Sequence, residues 1–113
     1  MIKGLGTDLV EIPRLAEKMS KDNGLRELIF SPAEIAYCES KTNKFEHYAA
    51  RFAAKEAFFK ALGTGWLKGT AFNEVQVLNN DEGKPLMALS GKTLELVNKA
   101  GQFNIFVSLT HVK

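Results

Sequence analysis

Hydrophobic and polar positions change their period several times along this chain, and each change marks an element. Residues Ile2 to Ile12 form a strand-like run in which Gly4 and Gly6 permit close backbone approach. Pro13 suits the first turn of a helix, which takes in Arg14, Leu15, Lys18 and Met19 and stops near Asn23-Gly24. Ser31-Pro32-Ala33-Glu34 opens another helix with a capping box, and this one runs to about Glu39. The longest helix is predicted from Lys44 to Gly63, where glycine supplies a left-handed cap. Beyond a glycine-punctuated loop, Phe72 to Asn79 alternates as a strand, Asp81 to Pro85 turns, and Leu86 to Leu89 returns. Ser90 caps a further helix ending at Gly101, and Phe103 to Leu109 is a last strand rich in β-branched and aromatic residues. The pattern predicts an α+β fold, with a long central helix and shorter helices packed on a mainly antiparallel sheet.

The chain of 113 residues fits one domain spanning 1–113 and contains no repeat or linker-like tract. Hydrophobic residues make up 45% and charged residues 25%, an ordinary balance for a soluble domain. A net charge of +2, with bases interspersed among acids, argues against a nucleic-acid surface. No run approaches the roughly 20 apolar residues that span a bilayer, and no secretory signal is seen. The single cysteine, Cys38, has no internal partner, which points to a reducing compartment and a cytoplasmic location.

The segment Tyr48–Gly65, YAARFAAKEAFFKALGTG, carries the most information. At helical spacing Ala50, Ala53, Ala54, Ala57 and Ala61 share one face suited to close packing, while Phe52, Phe58 and Phe59 point elsewhere. Apolar residues nearly surround this helix, so it should be mostly buried. Its charges form two i,i+4 pairs, Arg51 with Lys55 and Glu56 with Lys60. Two readings fit equally well: an internal Glu56–Lys60 bridge with two surface bases, or charges kept for a ligand.

Two further segments are ambiguous alone. Asp8, in Gly4–Glu11, is either ordinary turn chemistry or a carboxylate placed beside Glu56 to hold Mg2+, which prefers oxygen ligands. His111, after the strand-like Val107-Ser108-Leu109, is either a surface residue or a donor to a phosphate.

Taken together and in this order, GLGTDLVEI at 4–12, RFAAKEAFFKALGTG at 51–65, DEGKP at 81–85 and VSLTH at 107–111 resemble the holo-acyl-carrier-protein synthase family. The resemblance covers essentially the whole chain. It implies the 4′-phosphopantetheinyl transferase fold. It also implies transfer of phosphopantetheine from coenzyme A to a serine of apo acyl carrier protein, releasing adenosine 3′,5′-bisphosphate, in support of fatty acid synthesis. In that family pattern Asp8 and Glu56 would ligate Mg2+, with Mn2+ as the alternative, and Lys60 would serve the pyrophosphate. Lys44 and Arg51 would contact the ligand's phosphates, the Gly63-Thr64-Gly65 loop and the Gly83-Lys84-Pro85 turn would border the nucleotide, and His111 would add a phosphate-side hydrogen bond. The family's members are homotrimers with active sites at subunit interfaces. They dock the acidic carrier protein on the first helix, where Arg14 is the best match and Lys18 and Lys21 are weaker neighbours.

Two departures stand out. Family members continue into one further strand where this chain ends, at Lys113, and a sheet lacking it would expose an edge. Ala50 stands where a glycine often precedes the arginine. The rival readings are a non-catalytic module that holds a nucleotide or an acidic helical partner without metal, and the related two-lobed transferases. The latter are about twice as long, which favours the short trimeric type.

Overall fold

A computed structural model of the chain describes residues 12–21, 24–61 and 69–100. The elements in order are α1 (Ile12–Met19), α2 (Leu25–Ile29), α3 (Pro32–Glu39), α4 (Lys44–Ala61), a 3-10 turn (Phe72–Glu74), β1 (Val75–Asn79), β2 (Pro85–Leu89) and α5 (Gly91–Ala100). Among the described residues helices dominate, with a small antiparallel sheet, as the α+β pattern predicts. The expected strands at 2–11 and 103–109 lie outside the described residues. Among the described residues, no helix is long and apolar enough to cross a membrane.

Helix α3 begins where the sequence placed it. Ser31 Oγ accepts from Glu34 N at 3.2 Å while Glu34 Oε1 accepts from Ser31 N at 3.0 Å, a complete capping box. The hairpin pairs Val75 with Leu89, Val77 with Met87 and Asn79 with Pro85, turning Val75 and Val77 into the core.

Three expectations change. Ile12 starts α1 instead of ending a strand, and α1 closes at Met19, short of Asn23-Gly24. Helix α2 was not foreseen: it has five residues, and no side chain caps it at Gly24, so a local pattern carries no start signal. Tertiary contacts hold it instead, through buried Ile29 and a hydrogen bond from Asn73 Nδ2 to the Glu27 carbonyl. Finally, Phe72–Glu74 is a 3-10 turn and not the first part of a strand.

The reason for that turn is the start of α5. Ser90 stands before the helix and its carbonyl accepts from Leu94 N, but the free N–H groups of Lys92 and Thr93 donate to the Glu74 carboxylate at 3.2 and 3.1 Å. The Thr93 hydroxyl donates to the same carboxylate at 2.7 Å and accepts from Ala71 N at 3.0 Å. A glutamate from a distant turn thus caps this helix. Gly91, at φ +58°, lies beneath that carboxylate, where any Cβ would collide with it.

The buried apolar residues form two clusters. Leu15, Ile29, Phe30, Cys38, Tyr48 and Ala49 make one; Phe58, Phe59, Val75 and Val97 make the other, and Phe72 packs against both. Helix α4 runs through the two. Its buried side carries Tyr48, Arg51, Lys55, Phe58 and Phe59, while Ala53, Ala54, Ala57 and Ala61, around the opposite side, are only half-buried.

Candidate active site

Helix α4 fixes the spacing of four candidate groups. Lys44 lies in its first turn, Arg51 at its middle, and Glu56 and Lys60 one turn apart near its end. Glu56 is half-buried and Lys60 exposed, so both stand at the margin of the core. Lys44 Nζ sits 3.4 Å from Glu39 Oε1 in a half-exposed pair, a weak contact that a ligand phosphate could replace.

The reading of Arg51 and Lys55 as two surface bases is overturned: both are buried. Arg51 donates from Nε to the Val77 carbonyl at 3.2 Å and from Nη2 to Asn79 Oδ1 at 2.6 Å, and its guanidinium lies over the Tyr37 ring. Lys55 is wholly enclosed. Its ammonium donates to Glu34 Oε1 at 2.6 Å, to the Phe72 carbonyl at 2.9 Å and to the Val75 carbonyl at 2.8 Å, which uses all three of its protons. The second oxygen of Glu34 accepts from Val77 N at 2.9 Å. Burial pushes the Lys55 ammonium down from the ordinary lysine range, and the Glu34 carboxylate opposes that shift.

Neither Glu34 nor Lys55 was singled out as a functional group from the sequence. The capping box placed Glu34 at the start of α3, but nothing local shows that one of its oxygens also meets a lysine 21 residues away.

The Gly83–Pro85 turn is tied to the same helix. Asn79 Nδ2 donates to the Gly83 carbonyl at 3.1 Å, so Arg51, Asn79 and the turn form one chain of contacts. Asn80 Oδ1 accepts from both Glu82 N and Lys84 N at 2.9 Å, closing the turn from within. Gly83 has φ +82°, and open space lies where its side chain would be. Its glycine is needed for backbone conformation and not for clearance. Lys84 is exposed and lies 4.0 Å from Glu82, a contact with little energy in water.

The structure therefore ties Arg51 to the turn through Asn79 and sets Glu56 and Lys60 one turn apart on α4. Asp8, Gly63 and His111 lie outside the described residues. Among the described residues, no cluster of three or more His, Cys, Asp or Glu could hold a metal. Arg14 is exposed on α1, beside Leu15, which is buried in the core. A cleft of about 430 Å3, lined by Phe30, Pro32, Ile35, Asn73, Gln76 and Ser90 among others, includes none of the candidate groups.

The family model described as the 4′-phosphopantetheinyl transferase superfamily matches residues 4–107. A holo-[acyl-carrier-protein] synthase of Geotalea daltonii is 46% identical over 112 residues, covering 98% of this chain and 90% of that protein. Two solved structures have the same architecture. A holo-ACP synthase from Plasmodium yoelii superposes with a TM-score of 0.82 at 28% identity, covering 100% of this chain and 87% of that one. An ACPS–CoA complex of Chronobacterium ammoniagenes gives 0.75 at 32% identity, covering 86% and 78%. The order of motifs, the fold and these likenesses agree, and this chain belongs to the 4′-phosphopantetheinyl transferase superfamily, among its holo-[acyl-carrier-protein] synthases.

Proposed function

We propose that this protein is a Mg2+-dependent holo-[acyl-carrier-protein] synthase, transferring the 4′-phosphopantetheine arm of coenzyme A to a serine of apo acyl carrier protein. The observation that carries the reading is the nearly full-length similarity to holo-[acyl-carrier-protein] synthases. In the reaction the serine oxygen bonds to the phosphorus bearing the pantetheine arm. The bond from that phosphorus to the bridging oxygen of the pyrophosphate breaks. Adenosine 3′,5′-bisphosphate leaves with the electron pair, and the serine proton passes to a base.

Such a transfer depends on positioning and on neutralising phosphate charge. The donor set of Asp8 and Glu56 fits Mg2+, which takes oxygen ligands, usually one or two carboxylates, with water and substrate phosphates completing the shell. Half-burial of Glu56 on α4 suits a group shared between the protein and a ligand. Bound there, Mg2+ or Mn2+ would polarise the phosphorus and offset the charge of the leaving phosphate. Lys60 is the exposed cation assigned to the pyrophosphate. Lys44 serves the ligand's phosphates by giving up its pair with Glu39, and His111 and the Gly63 loop complete the phosphate side. Arg51 enters the site through the Gly83–Lys84–Pro85 turn that it supports. Direct contact with a phosphate follows only if its guanidinium, 1% exposed, opens that network.

The same reading makes the protein one domain and a cytoplasmic homotrimer, with active sites at subunit interfaces and Arg14 receiving the carrier protein. Its product would support fatty acid synthesis. The test is intact-mass spectrometry of apo acyl carrier protein incubated with this protein, coenzyme A and Mg2+. Gain of one phosphopantetheine arm, abolished by EDTA, is the expected result. An unchanged carrier mass with a protein that still binds coenzyme A would favour a binding module instead.

A further inference from the structure

The buried pair of Glu34 and Lys55 has no part in the binding or chemistry proposed above, yet it ties α4 to three other elements. Lys55 lies on the buried stripe of α4 between Tyr48 and Phe58, where the two apolar clusters meet. Each of its protons goes to a different element: α3 through Glu34, the 3-10 turn through Phe72, and β1 through Val75. Glu34 answers in kind, with one oxygen on Lys55 and the α3 N-terminus and the other on Val77 N of β1. Burying two charges costs several kcal/mol per ion, and an apolar pair of similar volume is often as stable. What an apolar pair cannot supply is direction. Apolar contacts allow α4 to roll or slide slightly, whereas these hydrogen bonds allow one setting only.

We infer that the Glu34–Lys55 pair is a positioning device, fixing the rotation and height of α4 so that Glu56 and Lys60 are presented correctly. Glu56 is the next residue on the helix, so any roll at Lys55 displaces its carboxylate directly. Lys60 follows one turn later. The same pair grips β1, whose end carries Asn79 and the turn at 83–85. The described parts of the candidate site, on α4 and at the turn, are thus referred to one buried point. Magnesium sites demand near-ideal octahedral geometry, and functional groups need to be held to about 0.5 Å. The inference rests on the proposed role of Glu56.

The test compares three proteins: the parent, Glu56→Gln, and the double variant Glu34→Gln/Lys55→Met, which removes both charges and nearly conserves volume. The first readout, independent of turnover, is Mn2+ affinity by electron paramagnetic resonance in the presence of coenzyme A. The second is the kcat and KM for the carrier protein. The double variant should keep its far-UV circular dichroism yet bind Mn2+ roughly 10–100-fold more weakly, the range typical of lost supporting contacts around a metal. At a fixed subsaturating metal concentration its kcat should fall in step, with KM for the carrier changed less than about threefold, because the carrier's docking contacts on α1 are untouched. Mn2+ affinity and kcat within about twofold of the parent would overturn the inference, that being far below such losses. Should the double variant not fold, Glu34→Asp, which keeps both charges but shortens the reach from α3 to Lys55, carries the same comparison. Glu56→Gln separates the two ideas: if it binds Mn2+ and turns over normally, the metal role of Glu56 fails, and this inference with it. If Glu56→Gln is inactive and the double variant is normal, the positioning role alone fails.

Discussion

Lys55 Nζ and Glu34 Oε1 lie 2.6 Å apart, and neither side chain has any exposure to solvent. The contact joins the middle of the long helix to the first turn of α3, and every polar atom of the pair has a partner in the protein. An enclosed pair of this kind is asymmetric in its energetics. Removing one partner strands a charge, while removing both does not. Lys55→Met alone should therefore lower stability by about 3–5 kcal/mol, and adding Glu34→Gln should recover most of that loss. Urea denaturation of the two variants and the parent measures both steps.

Glu74 offers a pH-dependent counterpart. The Thr93 hydroxyl, then the backbone N–H groups of Thr93 and Lys92, hold its carboxyl below the ordinary value of 4.5. Because the folded value is the lower one, its stabilisation is complete above about pH 4.5 and is lost as pH falls through the lowered value. Glu74→Gln should cost about 1 kcal/mol at pH 7, as for loss of a helix cap. The gap between variant and parent should shrink below about pH 4.5, which denaturation midpoints at pH 7, 5 and 3.5 would record.

Two glycines should respond differently to alanine. Both have positive φ, which costs a residue with a Cβ about 1–2 kcal/mol. Gly83 faces open space, so Gly83→Ala should lose only that amount in thermal stability. Gly91 is covered by the Glu74 carboxylate, so Gly91→Ala must also displace the α5 cap and should lose clearly more. Melting temperatures of the two variants, measured side by side, make the comparison.

Cys38 is fully buried, and burial pushes its thiol up to about 11. Thiolate is the reactive form, so the native protein should resist alkylation at neutral pH. Iodoacetamide at pH 7.5 should leave the folded protein unmodified and label it once in urea, as read by intact mass. Labelling of the folded protein at the rate of the unfolded one would contradict this burial.

Arg14 projects from α1 into solvent while Leu15 anchors the helix. If the carrier protein docks there, Arg14→Glu should weaken carrier binding by about tenfold or more, as truncating a central charged contact commonly does. Coenzyme A affinity should stay within about twofold, since one removed contact shifts only its own partner. Isothermal titration with each ligand separates the outcomes, and equal losses for both would argue against docking on α1.

Features set by near neighbours along the chain were legible without any structure. Ser31 and Glu34 announced the start of α3 because a capping box involves residues three apart, and both of its bonds are present. The helix predicted from Lys44 to Gly63, described here over Lys44–Ala61, and the turn at 81–85 were legible because helical period and turn residues act over a few positions. The motifs at 4–12, 51–65, 81–85 and 107–111, taken together, also suggested the family. What those residues meet emerged with folding. It turned Lys55 inward to Glu34, aimed Arg51 at Asn79, and set Glu74 over the start of α5. It also made a helix of Leu25–Ile29, which has no start signal of its own. The physical reason is common to all four. A charge, a side-chain amide or an orphan backbone group finds its partner by proximity in the folded chain, and these partners lie 17 or more residues apart, beyond the reach of any local period.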